Sequence, residues 1–78
     1  MARLRLFGPA RSAAGIGEAS APGETVGDVL AWACDRFGAD FAELLGQCSI
    51  WVNGEPAERE WPVAGHDEVA VIPPVSGG

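Results

Sequence analysis

The 78-residue chain contains no lysine: its five cations, Arg3, Arg5, Arg11, Arg36 and Arg59, are all arginines. A phosphate-cradling G-x-x-x-x-G-K loop is therefore excluded, because it needs the missing residue type. Eleven acidic residues bring the net charge to −6, and only Arg3 and Arg5 stand close together. Nucleic-acid backbones are held by clustered cations, so no nucleic-acid partner is expected. Cysteine is scarce as well. Cys34 and Cys48 are too few for a disulfide framework and too far apart for a C-x-x-C site. With a single histidine, His66, they cannot complete a metal set; both read as reduced apolar fillers. No long apolar run suggests a membrane span and the N-terminus shows no leader pattern, so the expected location is the cytoplasm.

What remains is the alternation of a small, single-core domain. In residues 2–7, Ala2, Leu4 and Leu6 fall on one face and Arg3, Arg5 and Phe7 on the other, as in a strand buried on one side. Gly8-Pro9 reads as the end of that strand, and Gly15-Ile16-Gly17 as a loose turn before a weaker strand over 18–21. Thr25 is a good helix N-cap, with Asp28 three residues on. Val26, Val29, Leu30, Ala33 and Phe37 then repeat at helical spacing up to Gly38. On this reading Phe37 is a core anchor, and Trp32, off the stripe, lies at the edge of the buried face or in solvent. A shorter helix is expected over 41–45 and a strand over 49–53. Asn53-Gly54 signals a tight hairpin turn. The stretch between Pro56 and Pro62 reads as irregular or edge-like, anchored by Trp61, and the last strand covers 68–72. One main helix across one face of a small mixed sheet is an α+β arrangement of the β-grasp, ubiquitin-like type. A β-grasp domain over 1–72 is expected, followed by a tail over 73–78.

That tail reads Pro73-Pro74-Val75-Ser76-Gly77-Gly78. Two prolines end the strand and hold the chain extended; six residues reach about 20 Å at ~3.3 Å each. Two glycines then present a carboxylate on the least hindered backbone available. Chance alone places Gly-Gly at the end of about one chain in 200, so the pair gains weight mainly from the stiff spacer before it. A carboxylate is a poor electrophile until it is esterified to a good leaving group such as AMP. This chain lacks the phosphate loop for that step, so activation belongs to a partner.

The stretch from Asp67 to Gly78 closely resembles the end of the small subunit of molybdopterin synthase, within the MoaD/ThiS family of ubiquitin-like sulfur carriers. The Leu4-x-Leu6-Phe7 opening, the Thr25-Val26-x-x-Val29-Leu30 helix start and the Val52-Asn53 strand end fit as well. The resemblance implies a non-catalytic, sulfur-donating subunit without catalytic residues of its own. An activating enzyme would adenylate Gly78 with ATP, and a sulfurtransferase or cysteine desulfurase would supply sulfur. The resulting thiocarboxylate would pass sulfur to precursor Z inside the large synthase subunit. Gly77 would allow passage, and Pro73, Pro74, Val75 and Ser76 would line each partner's channel. No bound cofactor is implied, since the sulfur is carried covalently.

Strand parity adds a docking surface. If Leu4, Leu6, Ile50, Val52, Val69 and Val71 face the helix, then Phe7, Trp51, Ala70 and Ile72 look outward as an apolar patch beside the tail. Loops or Trp61 covering that face are an equal alternative. Asp67 and Glu68 either steer the tail toward a basic partner or form a solvated turn. His66 reads as a turn residue, and Asp35, Asp40 and Glu43 as an exposed acidic helix side. No carboxylate pair suggests acid–base catalysis. Alternatives to the molybdopterin pathway are sulfur delivery to thiamine thiazole, cysteine or a natural product. A ubiquitin-like protein modifier and a plain interaction domain are further alternatives. The missing lysine would spare such an acyl donor from isopeptide bonds to its own copies, although an arginine-favouring composition explains it too.

Overall fold

In the computed structural model, which describes residues 1–74, five strands form one sheet in the order β2-β1-β5-β3-β4. They are β1 (Ala2–Leu6), β2 (Glu18–Ala21), β3 (Ser49–Val52), β4 (Glu55–Pro56) and β5 (Glu68–Ile72). Strand β5 is central, parallel to β1 and antiparallel to β3, while β2 and β4 are antiparallel edges. Three helices, α1 (Gly8–Ala14), α2 (Val26–Phe37) and α3 (Ala39–Leu45), complete the chain order. The α+β, β-grasp reading is the observed fold.

The alternation of β1 and β5 becomes burial. Leu4, Leu6, Val69 and Val71 are all at most 2% exposed, and α2 adds Val26, Val29, Leu30 and Ala33 to the same core. Each large side chain so buried is worth about 1.5–3 kcal/mol, which is what holds so short a chain together. Helix α2 starts as its sequence suggests: Thr25 Oγ1 accepts the Asp28 N–H at 3.2 Å, and Asp28 Oδ2 accepts the Glu24 N–H at 3.1 Å. Gly38 ends it at φ +97° and opens α3 directly, a backbone conformation that glycine adopts without a Cβ penalty. Asn53 and Gly54, at φ +50° and +85°, make the expected two-residue turn between β3 and β4.

Three readings of the sequence need correction. Residues 8–14 are not a loop but helix α1. Pro9 stands in its first turn, where no N–H has an intrahelical partner to lose, and the Gly15 N–H caps the end on the Arg11 carbonyl at 2.9 Å. Trp61 does not anchor its segment, since it is 45% exposed while Val63 is buried. The backbone does the anchoring: the Trp61 carbonyl accepts from Val26 N–H at 2.9 Å and Val63 N–H donates to Glu24 at 2.9 Å. Phe37 is only half-buried, stacked edge-on between Trp32 and Phe41. The ring with no exposure is Phe41 of α3, so the heavier core anchor lies one element later than the helical spacing suggests. The edge-like reading at Pro56 is the one observed: Glu55 and Pro56 pair with β3 as a short edge strand, where a missing proline N–H is harmless.

Candidate functional site

The site is built around the C-terminal end of β5. Because β1 and β5 are parallel, with Leu6 beside Val71, both strands finish at the same end of the sheet. The antiparallel β3 begins there, with Ser49 opposite Ile72. Chain leaving β5 at Ile72 therefore emerges beside Phe7, the residue between β1 and α1. Pro73 is half-buried against this junction and Pro74 is exposed. Val75, Ser76, Gly77 and Gly78, the rest of the expected tail, lie outside the described residues.

The open face of the sheet has two textures. Toward the β2 edge it is ionic: Glu18 lies 3.8 Å from Arg3 and 3.9 Å from Arg5, and Arg5 bonds Glu68 at 3.2 Å. These pairs are largely solvent-exposed, so each adds less than about 1 kcal/mol. Nearer the tail it turns apolar. Phe7 is 41% exposed, with the Arg5 guanidinium 5.5 Å from its ring centroid, an arrangement that orients the ring. Trp51 sits beside Ala70, and Ala70 beside Arg5, in adjacent strands; Trp51, Ala70 and Ile72 are half-buried. Parity thus brings Phe7, Trp51 and Ile72 to one face at the root of the tail. Trp61, which might have covered that face, is bound by its backbone to the start of α2.

The opposite end of β5 is closed. Asn53 Nδ2 donates to Asp67 Oδ1 at 2.9 Å, the Ala64 N–H donates to Asp67 Oδ2 at 2.8 Å, and the Glu68 N–H donates to Asn53 Oδ1 at 2.9 Å. The Asn53 hydrogen bond, then that from Ala64, holds the Asp67 carboxyl below its ordinary range, with a further contribution from His66. Hydrogen bonds to the charged form favour it. Asp67 is therefore a turn-forming residue about 17 Å from the tail root, at ~3.3 Å per residue along β5. Of its two sequence readings, the turn is the one observed. His66 is exposed in the same turn.

Nothing else among the described residues suggests chemistry. They contain no group of three or more metal-ligating side chains. A hollow of about 490 Å³ on the helix side is lined by Val26, Leu30, Cys48, Ile50 and Glu58, but the Cys48 thiol is bonded to the Leu44 carbonyl at 3.4 Å and burial pushes its pKa up. It stays a thiol at neutral pH, unlike a nucleophilic cysteine. Of the described helices, none is long and apolar enough to cross a membrane.

A family model for the ThiS family matches residues 4–78. The chain belongs to the ThiS family. Its members are small ubiquitin-like sulfur carriers. Among solved structures, this ThiS-family chain is similar to small archaeal modifier protein 1 from Methanosarcina acetivorans. The two are 30% identical with a TM-score of 0.87, over 99% of this chain and 95% of the other. It is also similar to a putative molybdopterin converting factor, subunit 1, from Pyrococcus furiosus, at 26% identity and TM-score 0.80 over 95% and 97% of the chains. A third likeness, of fold alone, is to a chain in the complex of subunits 1 and 2 of molybdopterin-converting factor from Helicobacter pylori. There the identity is 23% and the TM-score 0.73, over 99% and 97%. No curated protein sequence matches at a significant level.

Sequence reasoning missed two residues of this site. In the sequence Gly8 reads only as a strand terminator, and Glu18 as part of a weak strand. The Gly8-Pro9 pair followed by Ala-rich residues was the available signal for a helix start; the ionic pairing of Glu18 with Arg3 and Arg5 needed the register.

Proposed function

We propose that this chain is a sulfur carrier whose Gly78 carboxylate is adenylated and then converted to a thiocarboxylate, and that it serves as the sulfur-donating small subunit of molybdopterin synthase. The observation that carries this reading is the exit of β5. The central strand of a scaffold with no catalytic constellation among its described residues runs into Pro73-Pro74 beside an open apolar patch. Family membership supports sulfur carriage, and the similarity to the Pyrococcus furiosus protein favours the molybdopterin pathway.

The loading proceeds in three displacements. A Gly78 carboxylate oxygen attacks the α-phosphorus of ATP held by the activating enzyme, and pyrophosphate leaves. The outer sulfur of a persulfide on a sulfurtransferase or cysteine desulfurase then attacks the acyl carbon, and AMP leaves. A thiol of that donor system attacks the inner sulfur of the acyl disulfide, which frees the thiocarboxylate and leaves a disulfide. In the large synthase subunit the thiocarboxylate sulfur bonds to precursor Z, and water hydrolyses the acyl–sulfur bond, which leaves the sulfur on the acceptor and returns the carboxylate. Two loaded carriers supply the two sulfurs of one dithiolene. Glycine at 77 and 78 lets the terminus enter a narrow channel, while Pro73 to Ser76 line it. Phe7, Trp51 and Ile72 dock on the partner, as exposed aromatic and aliphatic anchors commonly do.

Intact mass after co-expression with the activating enzyme tests this reading. One oxygen should be exchanged for one sulfur, and the loaded protein should support molybdopterin formation with the large subunit. Retention of that activity by a variant lacking Gly78 would sink the reading. A second reading, a ubiquitin-like protein modifier, is favoured by the 30% identity to small archaeal modifier protein 1. It predicts instead conjugates that end in Gly78 on lysines of other proteins.

A further inference from the structure

Two residues beyond the Leu6–Val71 pair of the parallel strands β1 and β5 stand Gly8 and Pro73. They are at the same level of the sheet, where one segment turns into α1 and the other has left β5. Gly8 has φ +52°, in the left-handed region that side chains other than glycine rarely adopt. A Cβ placed on it would lie 3.3 Å from Pro73 Cγ, closer than the ~3.5–4.0 Å at which carbon atoms attract one another. Two independent constraints thus keep position 8 bare. Only the second concerns the tail.

We propose that Gly8 is a positioning residue for the tail: its bare backbone is the seat on which the Pro73 ring rests, and so sets the direction in which the chain leaves β5. This rests on the carrier reading above. Proline has a stiff ring and a fixed φ, so it cannot absorb a push by changing rotamer as a leucine would. Displacement of its ring passes into the path of the following residues. Pro74 prolongs the stiff segment, and five residues beyond Pro73 reach about 16 Å if extended, so a turn of about 10° at the root moves the end by about 3 Å. Pro73 is half-buried and Pro74 exposed, so among the described residues Pro73 is the last one seated on the sheet.

The test compares Gly8→Ala, Pro73→Ala and the double variant with the unmodified chain. The organism's own adenylating enzyme is used with ATP and inorganic sulfide, and pyrophosphate release and intact mass are read. The unmodified chain separates the two hypotheses: if it is not activated, the carrier reading fails, whatever Gly8 does. If it is activated, Gly8→Ala should lower kcat/KM about tenfold, mainly through KM, less than the ~100-fold that an ångström-scale misplacement can cost. The double variant should behave like Pro73→Ala alone, because removing the ring removes the collision. The backbone strain at position 8 persists in the double variant, so a defect due only to strain or lost stability would not be relieved. Amide NMR shifts of Val75 to Gly78 should move in Gly8→Ala and move less on adding Pro73→Ala to it. Unchanged kinetics in Gly8→Ala, or losses that simply multiply in the double variant, would overturn the proposal.

Discussion

The two ends of β5 are built in opposite ways. At the Glu68 end, Asp67, Asn53 and Ala64 close a turn with short hydrogen bonds, and the chain is held on both sides. At the Ile72 end, prolines replace residues that could extend the ladder, and the surroundings are an apolar patch and a bare glycine. One strand thus has a clamped end and a released end. On the carrier function proposed above, the difference teaches where a small scaffold can place a reactive terminus. It must leave from a strand that the core already immobilises, on the side where ladder hydrogen bonding stops.

The strongest test of that contrast is removal of Gly78. Thiocarboxylate formation should disappear completely while the melting temperature stays that of the full chain, as read by intact mass and calorimetry. Core damage should erase the contrast instead. Phe41→Ala is expected to cost roughly 3–5 kcal/mol by denaturant unfolding, enough to unfold much of a domain this small. The half-buried Phe37 should cost clearly less, reversing the order that helical spacing alone predicts. At the released end, the combined variant Phe7→Ala and Trp51→Ala should weaken binding to the large synthase subunit by more than about 1 kcal/mol, with little change in melting temperature. If the pair is thiocarboxylated and captured by partners at the normal rate, the patch has no docking role.

At the clamped end, Asp67→Ala should lower the melting temperature and leave activation unchanged. The pH dependence has a definite sign. The folded-state pKa of Asp67 is depressed below the ordinary 3.8, so its contribution is fully present above the unfolded value. It is lost as the pH falls through the folded value. The gap in melting temperature between Asp67→Ala and the unmodified chain should therefore be constant near neutrality and close in acid, below about pH 4. The smallest effect belongs to the ionic frame: Glu18→Ala should change stability by less than about 1 kcal/mol, and added salt should erase the difference.

Much of this contrast was legible without coordinates. Alternation in residues 2–7 and 68–72, the Thr25 cap and the Asn53-Gly54 turn each report a local preference, and each appears in the structure. The Pro-Pro-Val-Ser-Gly-Gly ending was equally plain, because it conflicts with continued strand. What escaped was either ambiguous locally or non-local. Gly8-Pro9 fits both a strand breaker and a helix first turn. Trp61 looked like an anchor by size, yet its segment is held by main-chain bonds to Glu24 and Val26. The rank of Phe41 over Phe37 depends on how α3 folds back, which a single helical stripe does not encode.

Composition and order alone therefore determined the fold class, the absence of a phosphate loop and the candidate chemistry at the terminal carboxylate. These follow from local conformational preference and residue type. Tertiary structure decided which residues meet: the parallel β1–β5 register that brings Gly8 to Pro73, the pairing of Glu18 with both arginines, and the gathering of Phe7, Trp51 and Ile72 at one end. Those contacts join segments up to 65 residues apart, as Gly8 and Pro73 are. They exist only because burying one face of each strand leaves a single register in which every apolar side chain points to the core.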